Sequence, residues 1–256
     1  MPDWNAAQYL KFQKERTQPA LDLAYRIPIQ KPRRVLDVGC GPGNSTAVLQ
    51  DRFPTASILG IDSSPAMIAA AEQAHPGLRF QLADAAGELE TVGGEYDVVF
   101  SNACLQWVPD HGRVIPRLLS LLRPGGYLAV QVPVNEEEPI HRLLKETAAS
   151  PRWAARFPKP RIFYTLAPGD YYDLLSQRAA DVALWRTTYC HVLPSHEAIL
   201  DWYRGTGLRP YLAALDEEEG RLFEREILEK LRPAYPVQAD GRILFPFPRL
   251  FFLARV

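Results

Sequence analysis

The sequence predicts an α/β protein built on a doubly wound, mostly parallel sheet. Short apolar segments alternate with helical ones through the first half of the chain. Those segments are continuous rather than alternating, as strands buried on both faces are, and the first of them closes on a cluster of glycines. Residues 33–38 (RRVLDV) form the first strand, and Asn44–Arg52 reads as the helix after it. Residues 57–61 (SILGI) are a second strand. Pro65–Ala74 follows as a helix, with Ser63 or Ser64 as N-cap and Pro65 near the first turn, where a missing N–H costs nothing. Residues 78–82, 96–101 and 126–132 supply three more strands, and residues 113–122 a helix that stops before Arg123-Pro124-Gly125-Gly126. Repeated βα units of this kind make a parallel sheet covered by helices.

Beyond Pro133 the pattern changes. Residues 139–175 look helical but are broken at Pro151, Pro158, Pro160 and Pro168. Residues 183–193, rich in Thr, Tyr and Trp, read as a strand, and His196–Arg204 and residues 217–231 as helices. Residues 243–256 suggest a strand interrupted at Pro246 and Pro248, then a second run from Arg249. The acidic runs at 136–138 and 216–219 read as solvated faces. The late strands, about 181–193 and 243–256, bring the sheet to seven. The expected organisation is thus a helical lid over 1–30, a core over 31–133, and a remainder over 134–256 of late strands with helical cap insertions. The lid is expected because Trp4, Tyr9, Phe12 and Arg16 fall at roughly helical spacing.

Composition narrows the function. The 256 residues make about one and a half average domains. At 47% hydrophobic and 23% charged, the chain is not disordered as a whole. Lys and Arg number 29 against 30 Asp and Glu, so no basic footprint for nucleic acid or an anionic membrane is expected, and any cationic site must be local. No stretch approaches 18 consecutive apolar residues, and the start, Met1 to Asn5, has neither a basic nor an apolar leader region, so a cytoplasmic protein is expected. Cys40, Cys104 and Cys190 lack metal-type spacing and read as small buried thiols; no metal is expected.

The strongest motif is Asp37-Val38-Gly39-Cys40-Gly41-Pro42-Gly43. Glycines at alternate positions let the backbone approach a ligand at a helix N-terminus. Asp62 ends the second strand, where a carboxylate accepts both hydroxyls of a ribose. A dinucleotide fingerprint would need glycine where Asn44 stands, which places a nicotinamide dehydrogenase last.

Together with Asp84 in Gln81-Leu82-Ala83-Asp84-Ala85, the segment Ser101-Asn102-Ala103-Cys104-Leu105-Gln106-Trp107 and the Arg-Pro-Gly-Gly turn, these motifs resemble the class I S-adenosylmethionine-dependent methyltransferases over residues 33–132. The resemblance implies a Rossmann-like methyltransferase fold whose last strand is antiparallel. It implies S-adenosyl-L-methionine as cofactor, S-adenosyl-L-homocysteine as product, and no metal. It makes Asp37, Gly39, Gly41, Gly43 and Ser63 cofactor-binding residues, with Asp62 at the ribose and Met67 over the adenine. Asp84 with Ala85 would meet the adenine edge, and Asn102, Gln106 and Trp107 would lie beside the cofactor.

The likeness extends further. GCGPGNST, GIDSSPAMI, NACLQWVPDH, YYDLLS, WRTTYCH, TGLRP and FPRLF, with the opening D-W-N…Y-L…F…E-R pattern, are similar to the trans-aconitate 2-methyltransferase family from end to end. This implies a monomethyl ester formed on a carboxylate of a small tricarboxylate, by a monomer or weak dimer. Such an acceptor, with a pKa of roughly 4, is already ionised at pH 7, so no catalytic base is assigned and the enzyme only positions. His111, His141, His191 and His196 are therefore not nominated as bases. Arginine forks suit carboxylates, which points to Arg186, Arg209 and Arg249, with Tyr171, Tyr172, Tyr189 and His191 as further donors and Trp4 and Tyr9 near the methyl group. On the strand 183–193, Trp185, Thr187, Tyr189 and His191 share one face and Arg186 and Thr188 the other, so both sets cannot meet one substrate. Two other readings stand beside this one. A methyltransferase for a hydroxyl or amine would want a base such as His191 or His111. A non-catalytic cofactor-binding module would need only the motifs of the first half. Methylation of nucleic-acid bases is disfavoured, because the segment after the fourth strand lacks the Asn/Asp-Pro-Pro-aromatic run those enzymes use.

Overall fold

The computed structural model describes residues 13–157 and 163–256. Trp4, Tyr9 and Phe12 of the expected lid lie outside them. Among the described residues the strands are β1 (Arg34–Val38), β2 (Ser57–Asp62), β3 (Arg79–Leu82), β4 (Tyr96–Asn102), β5 (Leu122–Pro133), β6 (Asp181–Leu193) and β7 (Ile243–Arg255). They form one seven-stranded sheet in the order β3-β2-β1-β4-β5-β7-β6. The pairs β1–β2, β2–β3, β1–β4 and β4–β5 are parallel, and β7 runs antiparallel to β5. Fold class, strand number and the antiparallel last strand agree with the sequence expectation. The chain order reverses between β1 and β4, and in open α/β sheets the crevice at the carboxyl ends of such a pair is where ligands bind.

The helices are α1 (Gln13–Arg26), α2 (Asn44–Arg52), α3 (Pro65–Ala74), α4 (His111–Ser120), α5 (Pro139–Ala148), α6 (Pro168–Ser176), α7 (His196–Arg204), α8 (Arg209–Leu212) and α9 (Glu217–Ala234). Local chemistry accounts for several of these boundaries. Ser64, rather than Ser63, caps α3, accepting the Met67 N–H at 3.2 Å with Pro65 in the first turn. Asp216 and Glu219 close a capping box on α9. Asp97, buried at the start of β4, accepts the Arg33 and Arg34 N–H groups at 2.6 and 2.8 Å and pairs with Arg123, tying β1 and the start of β5 to β4.

Three boundaries differ from expectation. The Arg-Pro-Gly-Gly turn is absorbed into β5, which begins at Leu122; Tyr96 pairs with Leu122 but Val98 already pairs with Tyr127, so the extra residues bulge. Helix α4 starts at His111 and ends at Ser120, earlier at both ends, because Asp110 takes a left-handed conformation (φ +56°) and its carbonyl accepts the Arg113 and Val114 N–H groups. β7 passes unbroken through Pro246 and Pro248. The Pro248 carbonyl accepts the Val134 N–H, so both prolines direct their missing N–H toward the β5 side, where the β5 ladder has ended at the Pro133–Arg249 pair.

By contacts the chain forms two compact units. The first holds the described residues of Met1–Pro133, Phe163–Thr187 and Arg249–Val256; the second those of Val134–Ile162 and Thr188–Pro248. In the first, Val35, Leu36, Val98, Val99, Leu128 and Val130 are fully buried, which is why the parallel strands read as continuous apolar runs. α1 packs on α2 and β5, and its Ala20, Leu23 and Ala24 are buried. In the second unit, α5 packs on α9. Trp153, Phe157, Tyr211 and Phe223 make an aromatic cluster there, and Glu226 accepts from Trp153 and Arg152.

Candidate functional site

The site in the first unit begins where β1 ends. Asp37 is fully buried, and one of its carboxylate oxygens accepts the hydroxyls of Ser45 and Thr46, both at 2.7 Å, in the first turn of α2. Burial raises its carboxyl from 3.8 to about 6; the two hydroxyls oppose this and the nearby Asp62 charge adds to it. Asp37 thus fastens the strand end to the helix start.

Between them the chain turns through Gly39, Gly41 and Gly43, at φ +75°, +54° and +91°. The glycines serve different ends. A side chain on Gly39 would collide with Cys104 Sγ, and one on Gly43 would reach 2.6 Å from the His75 ring, whereas one on Gly41 would meet nothing within 4 Å. Only Gly41 presents an open face. The turn's amides point into the protein. Gly39 and Cys40 donate to the Ile61 carbonyl at 2.8 and 2.9 Å, Gly43 donates to Cys40, and Gly41 donates to Asp62 Oδ2 at 2.9 Å. A turn so committed does not offer the row of N–H groups that cradles a pyrophosphate.

Asp62, ending β2, is the group the turn orients. Its other oxygen accepts the Ser64 N–H at 2.9 Å, so two backbone donors fix the plane of the carboxylate. Met67 is buried in α3, and Ser63 is exposed beside it. The Ala83 N–H bonds the Asp62 carbonyl at 3.0 Å, which brings the end of β3 alongside. Asp84 is exposed, its Oδ1 accepting the Ala86 N–H at 2.8 Å, and Ala85 is buried next to it.

β4 completes the crevice. Ser101 Oγ donates to the Val38 carbonyl at 2.9 Å, tying the ends of β4 and β1 together. Asn102 follows, and after it Leu105–Trp107 forms a single tight turn. Asn102 Oδ1 and Gln106 Oε1 are buried without a hydrogen-bond partner among the described residues, an arrangement suited to a ligand that brings its own donors or positive charge. Burial pushes the thiols of Cys40 and Cys104 far up, so both stay neutral.

Sequence reasoning missed the segment over this turn. Tyr164 donates its N–H to the Gln106 carbonyl at 3.1 Å, and the Phe163 ring lies 5.3 Å from that of Trp107. The proline-broken stretch before it gave no periodicity by which to find it.

On the same sheet face, strand register sets Asn102 beside Gln131, and Pro133 beside Arg249. Arg249 is 3% exposed and its Nη1 donates to Gln131 Oε1 at 2.9 Å. The other predicted substrate residues lie elsewhere. Tyr172 is 50% exposed, whereas its neighbour Tyr171 is fully buried. Arg186 sits on the exposed face of β6. In the second unit, His191 is packed against Trp202, Phe245 and Phe247, and Arg209 opens α8 half-buried. Trp4 and Tyr9 fall outside the described residues. Among the described residues no group of His, Cys, Asp and Glu is placed to hold a metal ion, and no helix is long and apolar enough to cross a membrane.

Comparison with known proteins follows this geometry. A family model described as a methyltransferase domain matches residues 35–126. The trans-aconitate 2-methyltransferases of Methylobacterium radiotolerans and Methylobacterium nodulans are 49% and 50% identical, each over 100% of this chain and 99% of its own. That of Escherichia coli K12 is 48% identical over the same shares. Among solved structures, the YcgJ protein of Bacillus subtilis superposes with a TM-score of 0.62 at 13% identity, covering 93% of this chain and 98% of its own. The phosphoethanolamine N-methyltransferase 2 of Haemonchus contortus, solved with S-adenosyl-L-methionine, does so at 0.56 and 19%, over 93% of this chain and 52% of its own. These two share the fold.

Proposed function

The chain belongs to the trans-aconitate 2-methyltransferase family, and on that premise we propose that it transfers a methyl group from S-adenosyl-L-methionine to a carboxylate of trans-aconitate. One observation carries the reading: identity near one half runs the whole length of the relatives, second unit included.

The residues present fit the cofactor. The oriented carboxylate of Asp62 suits a ribose diol, Gly41 leaves its face open, and the two buried amide oxygens of Asn102 and Gln106 suit a cationic group. When bound, S-adenosyl-L-methionine supplies a sulfonium methyl, and a carboxylate oxygen that takes it forms a C–O bond as the S–C bond breaks, removing one positive and one negative charge. What the chain must do is hold and orient. Asp62 and Ser63 would take the ribose, Met67, Asp84 and Ala85 the adenine, and the glycine turn with Asn102, Gln106 and Trp107 the remainder. Arg249 would grip a substrate carboxylate: it is buried, it lies on the sheet face of Asn102, and Gln131 orients its guanidinium. Arg249 is preferred to Arg186, which is exposed.

No proton has to leave the acceptor, because its pKa of roughly 4 leaves it ionised at pH 7. His111 agrees with this. Both ring nitrogens of His111 are engaged within the fold, at 2.9 Å from Leu105 O and from Tyr171 Oη. The near-zero net charge likewise suits a small acid held by a local cation rather than a nucleic acid.

Release of S-adenosyl-L-homocysteine, followed across a panel of di- and tricarboxylates with hydroxyl and amine acceptors beside them, tests the choice of substrate. Trans-aconitate should give the highest kcat/KM. Faster turnover of a neutral hydroxyl or amine would overturn the assignment. Binding without turnover of any member would favour the non-catalytic module.

A further inference from the structure

Tyr171 has no part in the binding roles above, yet its hydroxyl is built into the core of the first unit. Its ring lies 4.9 Å from that of Phe252, and the residue is fully buried. The hydroxyl is 2.9 Å from Nδ1 of His111, and the other nitrogen of that ring, Nε2, is 2.9 Å from the Leu105 carbonyl oxygen. A carbonyl only accepts, so Nε2 carries the ring proton and Nδ1 is bare; Tyr171 therefore donates to Nδ1. Burial keeps the pair in this state, holding His111 below the ordinary histidine range and Tyr171 above the ordinary phenol range.

The carbonyl at the end of this chain of bonds opens the Leu105–Trp107 turn, and it also accepts the Val108 N–H at 2.9 Å. Cys104, one residue earlier, is the side chain that rests on Gly39, so the turn abuts the glycine turn directly. It carries Gln106 and Trp107. We propose that Tyr171 and His111 act as a positioning relay, in which the tyrosine hydroxyl, bonded to Nδ1, holds the imidazole so that Nε2 meets the Leu105 carbonyl and keeps the Leu105–Trp107 turn in its cofactor-binding shape. Neither residue takes part in methyl transfer. The identity of the ligand rests on the function proposed above.

Without the hydroxyl, Nδ1 is left buried with that bond unmade, and the ring loses what fixes its plane toward the Leu105 oxygen.

Tyr171→Phe keeps the ring and removes the hydroxyl. His111→Leu removes both ring nitrogens and with them the link, so in that background residue 171 should no longer matter. In the free full-length chain, amide exchange at Trp107 and Val108 should speed up about tenfold in Tyr171→Phe, with the β1 and β4 amides unchanged. The calorimetric Kd for S-adenosyl-L-homocysteine should rise about fivefold or more. Adding Tyr171→Phe to His111→Leu should change that Kd by less than about twofold. Unchanged exchange and Kd in Tyr171→Phe would overturn the relay. So would acceleration spread evenly over β1 and β4, which marks a general loosening. If wild type fails to bind S-adenosyl-L-homocysteine, the proposed function falls instead, and the exchange pattern of the free chain alone decides the relay.

Discussion

Asp37 and Asp62 are two carboxylates a few residues from the same turn with opposite tasks. Asp37 is shut away and answers to protein hydroxyls, while Asp62 is held by backbone amides at the crevice. Their replacements should differ accordingly. A rise from 3.8 to about 6 makes the native state bind the Asp37 proton more tightly than the unfolded chain. Stability therefore falls as pH climbs from about 4 to about 6 and levels off above, a difference of about 3 kcal/mol. Asp37→Asn keeps an acceptor for Ser45 and Thr46 and removes the charge, so thermal unfolding followed against pH should lose that slope and gain stability at pH 7. Asp62→Ala should leave the fold intact and weaken S-adenosyl-L-homocysteine binding by about 3–6 kcal/mol, the loss of two bonds to a charged acceptor, measured by calorimetry. Arg249→Lys keeps the charge but loses the fork. It should raise the KM for trans-aconitate about tenfold or more while leaving the Kd for S-adenosyl-L-homocysteine nearly alone, and equal effects on both would refute the clamp.

At the scale of elements, the glycine turn shows how one motif serves packing and binding at once. Gly39 is glycine because Cys104 occupies the space of its side chain, and Gly41 because its backbone is left-handed and its face open. Gly41→Ala should cost about 1–2 kcal/mol of stability from strain alone and weaken cofactor binding well beyond that. Gly39→Ala should lose more stability than Gly41→Ala by thermal unfolding, since steric overlap adds to the same strain. The motif was readable in sequence, but this division of labour was not, because Cys104 and His75 reach the turn from distant segments. The N-cap of α3 and the continuous apolar strands were readable for the same reason that they form, since each depends on residues within a few positions, whereas the Asp216–Glu219 run, read as a solvated face, proves to be the capping box of α9. The course of β7 through two prolines was not, because it depends on where a neighbouring strand ends.

Over the whole molecule, local chemistry exposed β1 to β5 almost completely and, beyond them, the late strands and helices α7 and α9, while the functional roles there came only through family likeness. The order β3-β2-β1-β4-β5-β7-β6 puts the ends of β1, β2 and β4 side by side, so residues far apart in sequence, from Asp37 to Gln106, converge without any one stretch announcing it. Arg249 was visible as one arginine among many; its burial and its bond to Gln131, 118 residues away, single it out. His111, available from sequence as a base, proves to be committed on both nitrogens. These placements describe a protein that binds, orients and leaves the proton inventory untouched. The most direct trial of that claim uses purified protein, methyl-labelled S-adenosyl-L-methionine and trans-aconitate, and asks where the label goes. Label recovered in a base-labile monomethyl ester of trans-aconitate is the expected result, and label that stays with the donor, or appears in a base-stable product, would contradict it.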